Sequence, residues 1–487
     1  MQNTPQLVFK MMQQNIGISA LNCYFPNNKI DLKEWCQWRD IPFEKIKNVV
    51  GTGFRLPSPC EDIYTMAANA SLNLILENKI DPSEIGLLSL GTETSKDNAL
   101  GAIIIKGMLN TALSELGIKE LPRECEVPEF KHACLGGIYA LKNAVRYFYA
   151  PHPKKYAIVI ASDIAKYPLL SSGESTQGSG AIAILIEQNP KLLNIDLSQS
   201  VSSSDFRYID FRKPLEKEDE NLDIHLALVN GKFSSFCYLD EVRSAFNIMK
   251  SKHNVTLNEV LKITDLFSFH RPFKRMPENA LSYLYILSLM EDEGIDIYCE
   301  DNGIDKERFL KELQHEHNFE KMVKEQSVNG PIQEEVNKLI SIIRPKLMAE
   351  SYKYKIGFGI ELLNEIGNTY SSSIFINILA TLESCRNTNI DLVNKKWLAV
   401  GYGSGNACEI LPLTINENWQ HHLQSNLASS LATSNTLGQT DYEALHKNTI
   451  DRNYHQPTKG FIIDRVGQTK NESFEDQDIT FYKFLGA

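Results

Sequence analysis

A cysteine at the head of a helix, a carboxylate at the end of a strand and a histidine beside basic residues are the groups best placed to do chemistry. Cys134 stands in KHACLGGIYALKNAVRYF, followed by Gly136 and Gly137 and by apolar residues at 141, 144, 145 and 148 that mark one helix face. A thiol just before a helix gains thiolate character from the positive N-terminal end, and the glycines let the backbone turn and a substrate approach. The competing reading is a small core residue, which most buried cysteines are. The other eight cysteines lack this setting and are read as structural. Glu93 ends the apolar run of LSLGTETSKDNA, where partial desolvation raises a carboxyl pKa and makes a general base; a capping or surface glutamate would look the same. His270, in LFSFHRPFKRMPENAL, precedes Arg271, Lys274 and Arg275, a basic cluster suited to nucleotide-like phosphates or equally a solvated turn. Asn368 in GNTYSSS and Ser404 in GYGSG stand in glycine- and serine-rich loops that place backbone donors.

Other patterns fail. In EDNGID (300–305), counting a calcium loop from Gly303 puts Tyr298 and Phe309 where acidic ligands belong. His315/His317 and His421/His422 lack HExxH spacing or neighbouring cysteines, so no metal site is expected. There is no Walker or GxGxxG loop. Cys134, His270 and Asn368 occur in papain-type order, but a CGSCW-like context is missing.

The elements that must position these residues alternate. A strand is expected at Ile16–Leu21, a helix over 61–79 started by Glu61 and Asp62, and a strand from Ile85 to Leu90 that delivers Glu93. Further strands are expected around 156–161, 181–187 and 397–401, each beside a polar or glycine-rich turn, which is α/β grammar with chemistry at the strand ends. Residues 291–350, rich in Glu, Lys, Asp and Gln with helical spacing from 307 to 348, read as an inserted helical subdomain or flap. Residues 424–440, rich in Ser, Asn and Thr, read as a surface loop. At 487 residues and 43% hydrophobic content the chain can bury a large core. Its net charge of -11 disfavours nucleic acid and anionic membrane, and no apolar run nears the roughly 18 residues of a membrane span. Nine scattered cysteines without a CxxC pair, and no signal-peptide pattern at the N-terminus, lead to the expectation of a cytoplasmic protein.

Taken together, the motifs resemble hydroxymethylglutaryl-CoA synthases of the thiolase superfamily from about Ile16 to Phe484. The resemblance rests on EDIYTMAANA (61–70), GTETS with Glu93, ACLGG with Cys134, ASDIAKY with Asp163 and Tyr167, and GESTQGSGAIAIL (173–185). DFRKP (210–214), VNGKFSSFCYL (229–239), FHRPFKRM, GNTYSSS and YGSG follow in family order. It implies a thiolase fold: two similar α/β halves, each with a five-stranded sheet, packed around shared central helices, with a helical insert. The halves are expected at 15–215, carrying Glu93 and Cys134, and at 216–487, carrying His270, Asn368, Ser404 and the insert at about 291–350. The implied reaction condenses acetyl-CoA with acetoacetyl-CoA and water through an acetyl-Cys134 intermediate, in a cytoplasmic homodimer of the mevalonate pathway without a resident cofactor. Glu93, Cys134 and His270 are implied as catalytic, and Asp163, Asp210, Asn368 and Ser404 as supporting, with Asn368 orienting His270. Tyr167, Lys274, Arg275 and Gly231 are implied as substrate contacts.

The chain departs from the family pattern in Leu135 for the usual Tyr, Asn230 for Asp and Arg275 for a CoA-contacting Lys. The spans from His270 to Asn368 and from Glu93 to Cys134 are also long. The alternative is a relative that installs β-branches on carrier-bound polyketide chains with the same catalytic residues.

Overall fold

The structure is a computed structural model that describes residues 15–96, 100–151, 153–207, 210–212, 226–229, 231–291, 294–314, 333–349, 352–425, 427–471 and 473–487. Its first half runs β1 (Ile16–Tyr24), α1 (Ile63–Glu77), β2 (Ile85–Gly91), α2 (Gly101–Glu115), β3 (Glu129–Phe130) and α3 (Gly136–Tyr147). Strands β4 (Tyr156–Ala165), β5 (Gly178–Gln188), β6 (Leu193–Ile195) and β7 (Val201–Ser204) follow. The second half holds α4 (Gly231–His253), β8 (Leu266–Phe269), α5 (Arg275–Glu291), α6 (Ile295–Asn302), α7 (Lys306–Gln314) and α8 (Glu334–Ala349). Helix α9 (Ser373–Asn387), strands β9 (Lys396–Gly403) and β10 (Ala407–Ile415), and a terminal hairpin of β11 (Phe461–Val466) and β12 (Thr480–Phe484) complete it.

The apolar runs of β1, β4 and β5 are buried on both faces, so they read as continuous hydrophobic stretches rather than alternating ones. Each expected strand is present but longer. The strand expected at 156–161 runs on to Ala165 and so includes Asp163, and the glycine-rich segment before 181 is itself strand. Asp62 caps α1 through bonds from the N–H groups of Tyr64 and Thr65, and Thr65 returns the bond, a reciprocal capping box.

The strands order as β8-β9-β10-β6-β1-β5-β4-β2-β3, with β7 also on β10. A pattern repeats within this order. β2 pairs parallel with β4, then β5 and β1 follow antiparallel; β8 pairs parallel with β9, then β10 and β7 follow antiparallel. The repeat accounts for four strands in each copy where five were expected; β3 and β6 bring the sheet to ten, and β6 and β7 come from residues 193–204, within the span expected for the first half. The two sheets are not separate, because short β6 pairs with both β1 and β10 and joins them edge to edge.

Helices α3 and α9 hold equivalent places before β4 and β9. Both lie in one core with strands from the two halves, including Ile18, Leu141, Val159, Ile184, Phe375, Leu379, Ala399 and Leu413. Their approach requires Gly137: a Cβ there would stand 2.8 Å from the Ser371 carbonyl and 2.9 Å from the Phe375 ring.

Two expectations change. Helices α6, α7 and α8 are not a free flap, since Ile295, Phe309, Leu339 and Ile343 join the core formed by β8–β10 and α5. The 424–440 segment is not a simple surface loop either. Leu427, Leu431 and Leu437 are buried, and the buried Arg55 guanidinium donates to the carbonyls of Leu431 and Thr433 at 2.8 Å each. Sparse leucines among polar residues hid both the burial and the distant arginine that satisfies the backbone. All nine cysteines are buried and unpaired. Among the described residues no helix is long and apolar enough to cross a membrane.

The terminal hairpin packs on α1. Phe461 and Phe484 pack with tilted rings, centroids 5.0 Å apart, in the core shared with α1 and α2, and the Tyr482 hydroxyl donates to Asp62 at 2.8 Å. Phe461 is 1% exposed, so Phe461→Ala should cost about 3–5 kcal/mol through lost burial and the cavity left behind. Urea unfolding should show this as a lower midpoint at unchanged slope. An unchanged midpoint would mean that the hairpin does not hold α1 in solution.

Candidate functional site

Asp163, fully buried on β4, organises the site. Its Oδ1 accepts from the Thr92 hydroxyl (2.9 Å), the Glu93 N–H (2.7 Å), and the N–H and hydroxyl of Thr94 (2.9 and 2.7 Å). Its Oδ2 accepts from the N–H (3.0 Å) and the hydroxyl of Ser371, just before α9. Burial raises its pKa, and these hydrogen bonds pull the other way. The turn after β2 is thereby fixed with its glutamate beside the head of α3. The strand end itself is pressed there, because a Cβ on Gly91 would overlap the Gly136 carbonyl carbon at 2.3 Å.

Cys134 is 8% exposed and its Sγ lies 3.5 Å from Glu93 Oε2. The preceding Ala133 has φ 41°, in the left-handed region, at a strained turn that delivers the thiol. The expected thiolate is not what the site holds. Burial first, and then the charges of Glu93, Asp163 and Asp210, push the thiol pKa well above the ordinary value, so Cys134 rests as S–H donating to Glu93. Three carboxyl groups outweigh one helix end. Tyr167, Tyr370, Ala165 and Ala227 pack around the sulfur.

His270 follows β8 and is 2% exposed. Its N–H donates to the Val400 carbonyl at 2.8 Å, its carbonyl accepts from the Tyr238 hydroxyl at 2.9 Å, and Nδ1 lies 2.7 Å from Ser373 Oγ. Burial lowers its pKa to about 3, and it lies at the positive end of α9, so the imidazole is neutral near pH 7. The orienting partner is thus Ser373 and not Asn368. Asn368 instead accepts from the Tyr370 N–H at 2.9 Å and holds the turn that leads to Ser371. The basic cluster also divides. Arg271 turns inward, 7% exposed, and donates to Asn364 Oδ1 at 2.7 Å, burial lowering its pKa to about 10. Lys274 and Arg275 stay partly exposed where α5 begins.

Asp210 is fully buried, and the Tyr402 hydroxyl donates to its Oδ2 at 2.9 Å. Burial raises its pKa, against bonds from Ser234, Tyr402 and Ser404. Ser404 begins the turn from β9 to β10, and a Cβ on the preceding Gly403 would come 3.0 Å from the His132 carbonyl, so this turn abuts the Cys134 loop. Tyr167 lines the wall beside Cys134 and is 3% exposed. Gly231, at φ 47°, opens α4; Asn230 lies outside the described residues.

Sequence reasoning passed over Ser371, Ser373, Tyr238 and Tyr402. The two serines did leave a signal, a run of three at the head of an apolar helix, in a motif from which only Asn368 was taken. The tyrosines stand in VNGKFSSFCYL and GYGSG, motifs from which only Gly231 and Ser404 were taken.

Comparison with known proteins agrees with the motifs. The family models described as hydroxymethylglutaryl-coenzyme A synthase N terminal and C terminal match residues 12–191 and 196–456. The hydroxymethylglutaryl-CoA synthase of Haloferax volcanii is 26% identical over 434 residues, covering 86% of this chain and 89% of that protein. That of Enterococcus faecalis is 25% identical over 443 residues, covering 91% and 94%. Among solved structures, MvaS in complex with 3-hydroxy-3-methylglutaryl coenzyme A superposes with TM-score 0.75 at 24% identity, over 98% of this chain and all of that one. The curacin-pathway HMG synthase with holo donor-ACP gives 0.69 at 18%, covering 97% of this chain and all of that one. These structural likenesses show the fold.

A raised thiol pKa makes a definite expectation for alkylation, which proceeds through the thiolate. Labelling of Cys134 by iodoacetamide should keep rising with pH beyond about 8.5, the ordinary thiol value. Glu93→Gln removes a negative charge that favours the protonated form, so labelling at a fixed pH should become severalfold faster. A plateau below that pH, or slower labelling of Glu93→Gln, would contradict the resting thiol.

Proposed function

The chain belongs to the hydroxymethylglutaryl-coenzyme A synthase family, a family of acyl-transferring condensing enzymes, and on that footing we propose that it condenses acetyl-CoA with acetoacetyl-CoA and water to 3-hydroxy-3-methylglutaryl-CoA and CoA. The observation that carries this reading is the contact of Cys134 Sγ with Glu93 Oε2 at the junction of β2 and α3. A nucleophile and a carboxylate sharing one proton suit a reaction that needs first a thioester and then a carbanion.

The steps balance as follows. Cys134 attacks the acetyl thioester carbonyl and passes its proton to Glu93; the C–S bond to CoA breaks, and Glu93 returns the proton to the departing thiolate. Glu93, again a carboxylate, then removes a methyl proton from acetyl-Cys134. Backbone N–H groups of the Cys134 loop and the Ser404 turn stabilise the enolate oxygen. The enolate carbon attacks the ketone of acetoacetyl-CoA, polarised by a hydrogen bond from neutral His270, and Glu93 protonates the alkoxide. Water cleaves the Cys134 thioester and frees the product. Asp163 and Asn368 hold the two turns, and Asp210 and Tyr167 shape the pocket. No step draws on a resident metal or cofactor.

The first half carries Glu93 and Cys134 and the second His270, Asn368 and Ser404; the boundary expected at residues 215 and 216 lies outside the described residues. A cytoplasmic homodimer supplying a mevalonate pathway is the setting this reaction fits. Free CoA thioesters fit better than carrier-bound acyl groups, since Lys274 and Arg275, beside the segment that presents His270, suit the pyrophosphate and 3′-phosphate that only free CoA brings.

Incubation with acetyl-CoA should add one acetyl group to the wild type and none to Cys134→Ser, read by intact-protein mass; acetylation elsewhere would end the assignment. Glu93→Ala should still acetylate Cys134, with water carrying the thiol proton that Glu93 otherwise relays to the departing CoA, while condensation falls about 10²- to 10⁴-fold, the scale of general bases. Condensation at the wild-type rate would place the base elsewhere. Arg275→Ala should raise the KM for CoA thioesters more than it lowers kcat. Unchanged CoA kinetics, or faster acetylation from an acetyl-carrier protein, would favour the polyketide branch.

A further inference from the structure

Ser373 is 6% exposed and, among the described residues, its hydroxyl meets two groups: His270 Nδ1 at 2.7 Å and the Arg271 N–H at 3.4 Å. The Arg271 amide can only donate, so it occupies the hydroxyl oxygen as acceptor. The hydroxyl hydrogen then has one acceptor within reach, the imidazole Nδ1. Were Nδ1 protonated instead, the oxygen would face two N–H donors and its own hydrogen would be buried without a partner, an arrangement proteins avoid. Because burial keeps His270 neutral, one ring nitrogen carries the proton, and the hydroxyl decides which.

We infer that Ser373 is the positioning residue that fixes His270 as the Nε2–H tautomer, from the 2.7 Å Ser373 Oγ–His270 Nδ1 contact and the Arg271 amide that orients the same hydroxyl. The inference rests on His270 acting as a donor to the substrate ketone. Nε2 makes no hydrogen bond to the described residues, so its N–H is left for the ligand. Tyr238 and Val400 hold the backbone of His270 on either side, and Ser373 is left to hold the ring. Arg271 thereby acquires a role its side chain does not have: its main-chain amide orders the serine, while its guanidinium is tied to Asn364.

The test pairs kinetics with a spectroscopic reading. Ser373→Ala should acetylate Cys134 normally but condense about 10- to 100-fold more slowly, with a small change in KM, the scale on which partners that orient an imidazole act. Ser373→Thr keeps the hydroxyl and should recover most of kcat. Long-range ¹H–¹⁵N correlation of ¹⁵N-histidine-labelled protein, with His270 assigned by its loss in His270→Asn, should show Nε2–H in the wild type and a tautomer mixture in Ser373→Ala. Nδ1–H in the wild type, equal damage in the Ala and Thr variants, or an unchanged spectrum and kcat in Ser373→Ala would each overturn the inference. The spectrum needs no turnover, so wild-type protein that forms no product would count against the proposed reaction while the tautomer is still decided.

Discussion

A single carboxylate removed from water dictates the layout of this molecule. Asp163 sits near the C-terminal end of β4 with no exposure, and an isolated charge there would be prohibitive without partners. Its partners are the turn that carries Glu93 and the serine that precedes α9. Satisfying one buried group therefore sets the distance between a strand end of the first half and a helix of the second. Glu93 is held through its main chain, because its N–H is one of the bonds that Asp163 requires.

The repeated strand pattern extends to the turns. Ala133 and Tyr370 both have left-handed φ, at 41° and 43°, and each stands three residues before its central helix begins. On this correspondence Ser371 occupies the place of Cys134. One copy of the turn places the Cys134 thiol against Glu93; the other turns its hydroxyl into the Asp163 network. A repeated scaffold thus carries unlike groups at the residue that follows the strained position, a thiol in one copy and a supporting hydroxyl in the other.

Much of this was legible in the sequence, for physical reasons that differ by residue. Cys134 and Glu93 stood out because a strand end and a helix head announce themselves locally, through apolar runs, glycines and polar stops. The capping residues of α1 were readable in the same way. What stayed hidden was pairing at long range. Nothing near His270 names Ser373 as its partner, and nothing near Cys134 shows that three carboxyl groups will converge and keep the thiol protonated. Arg271 looked like one more surface cation until the fold turned it inward. The leucines of 427–437 looked incidental until Arg55 was seen to collect the carbonyls around them.

The edge-to-edge joining of the sheets bears on how the chain reaches this state. β1 pairs with residues near 180, and β6 then pairs with Leu413–Ile415, so the sheet closes only through contacts very distant in sequence. Helix α3, buried on most of its surface, finds Phe375 and Leu379 only when the second half arrives. During synthesis from the N-terminus the first half must therefore wait with its central apolar face uncovered until more than 370 residues have been made. Such non-local topology folds slowly and leaves waiting surfaces open to association, so the step most in need of a chaperone is the docking of α9 onto α3.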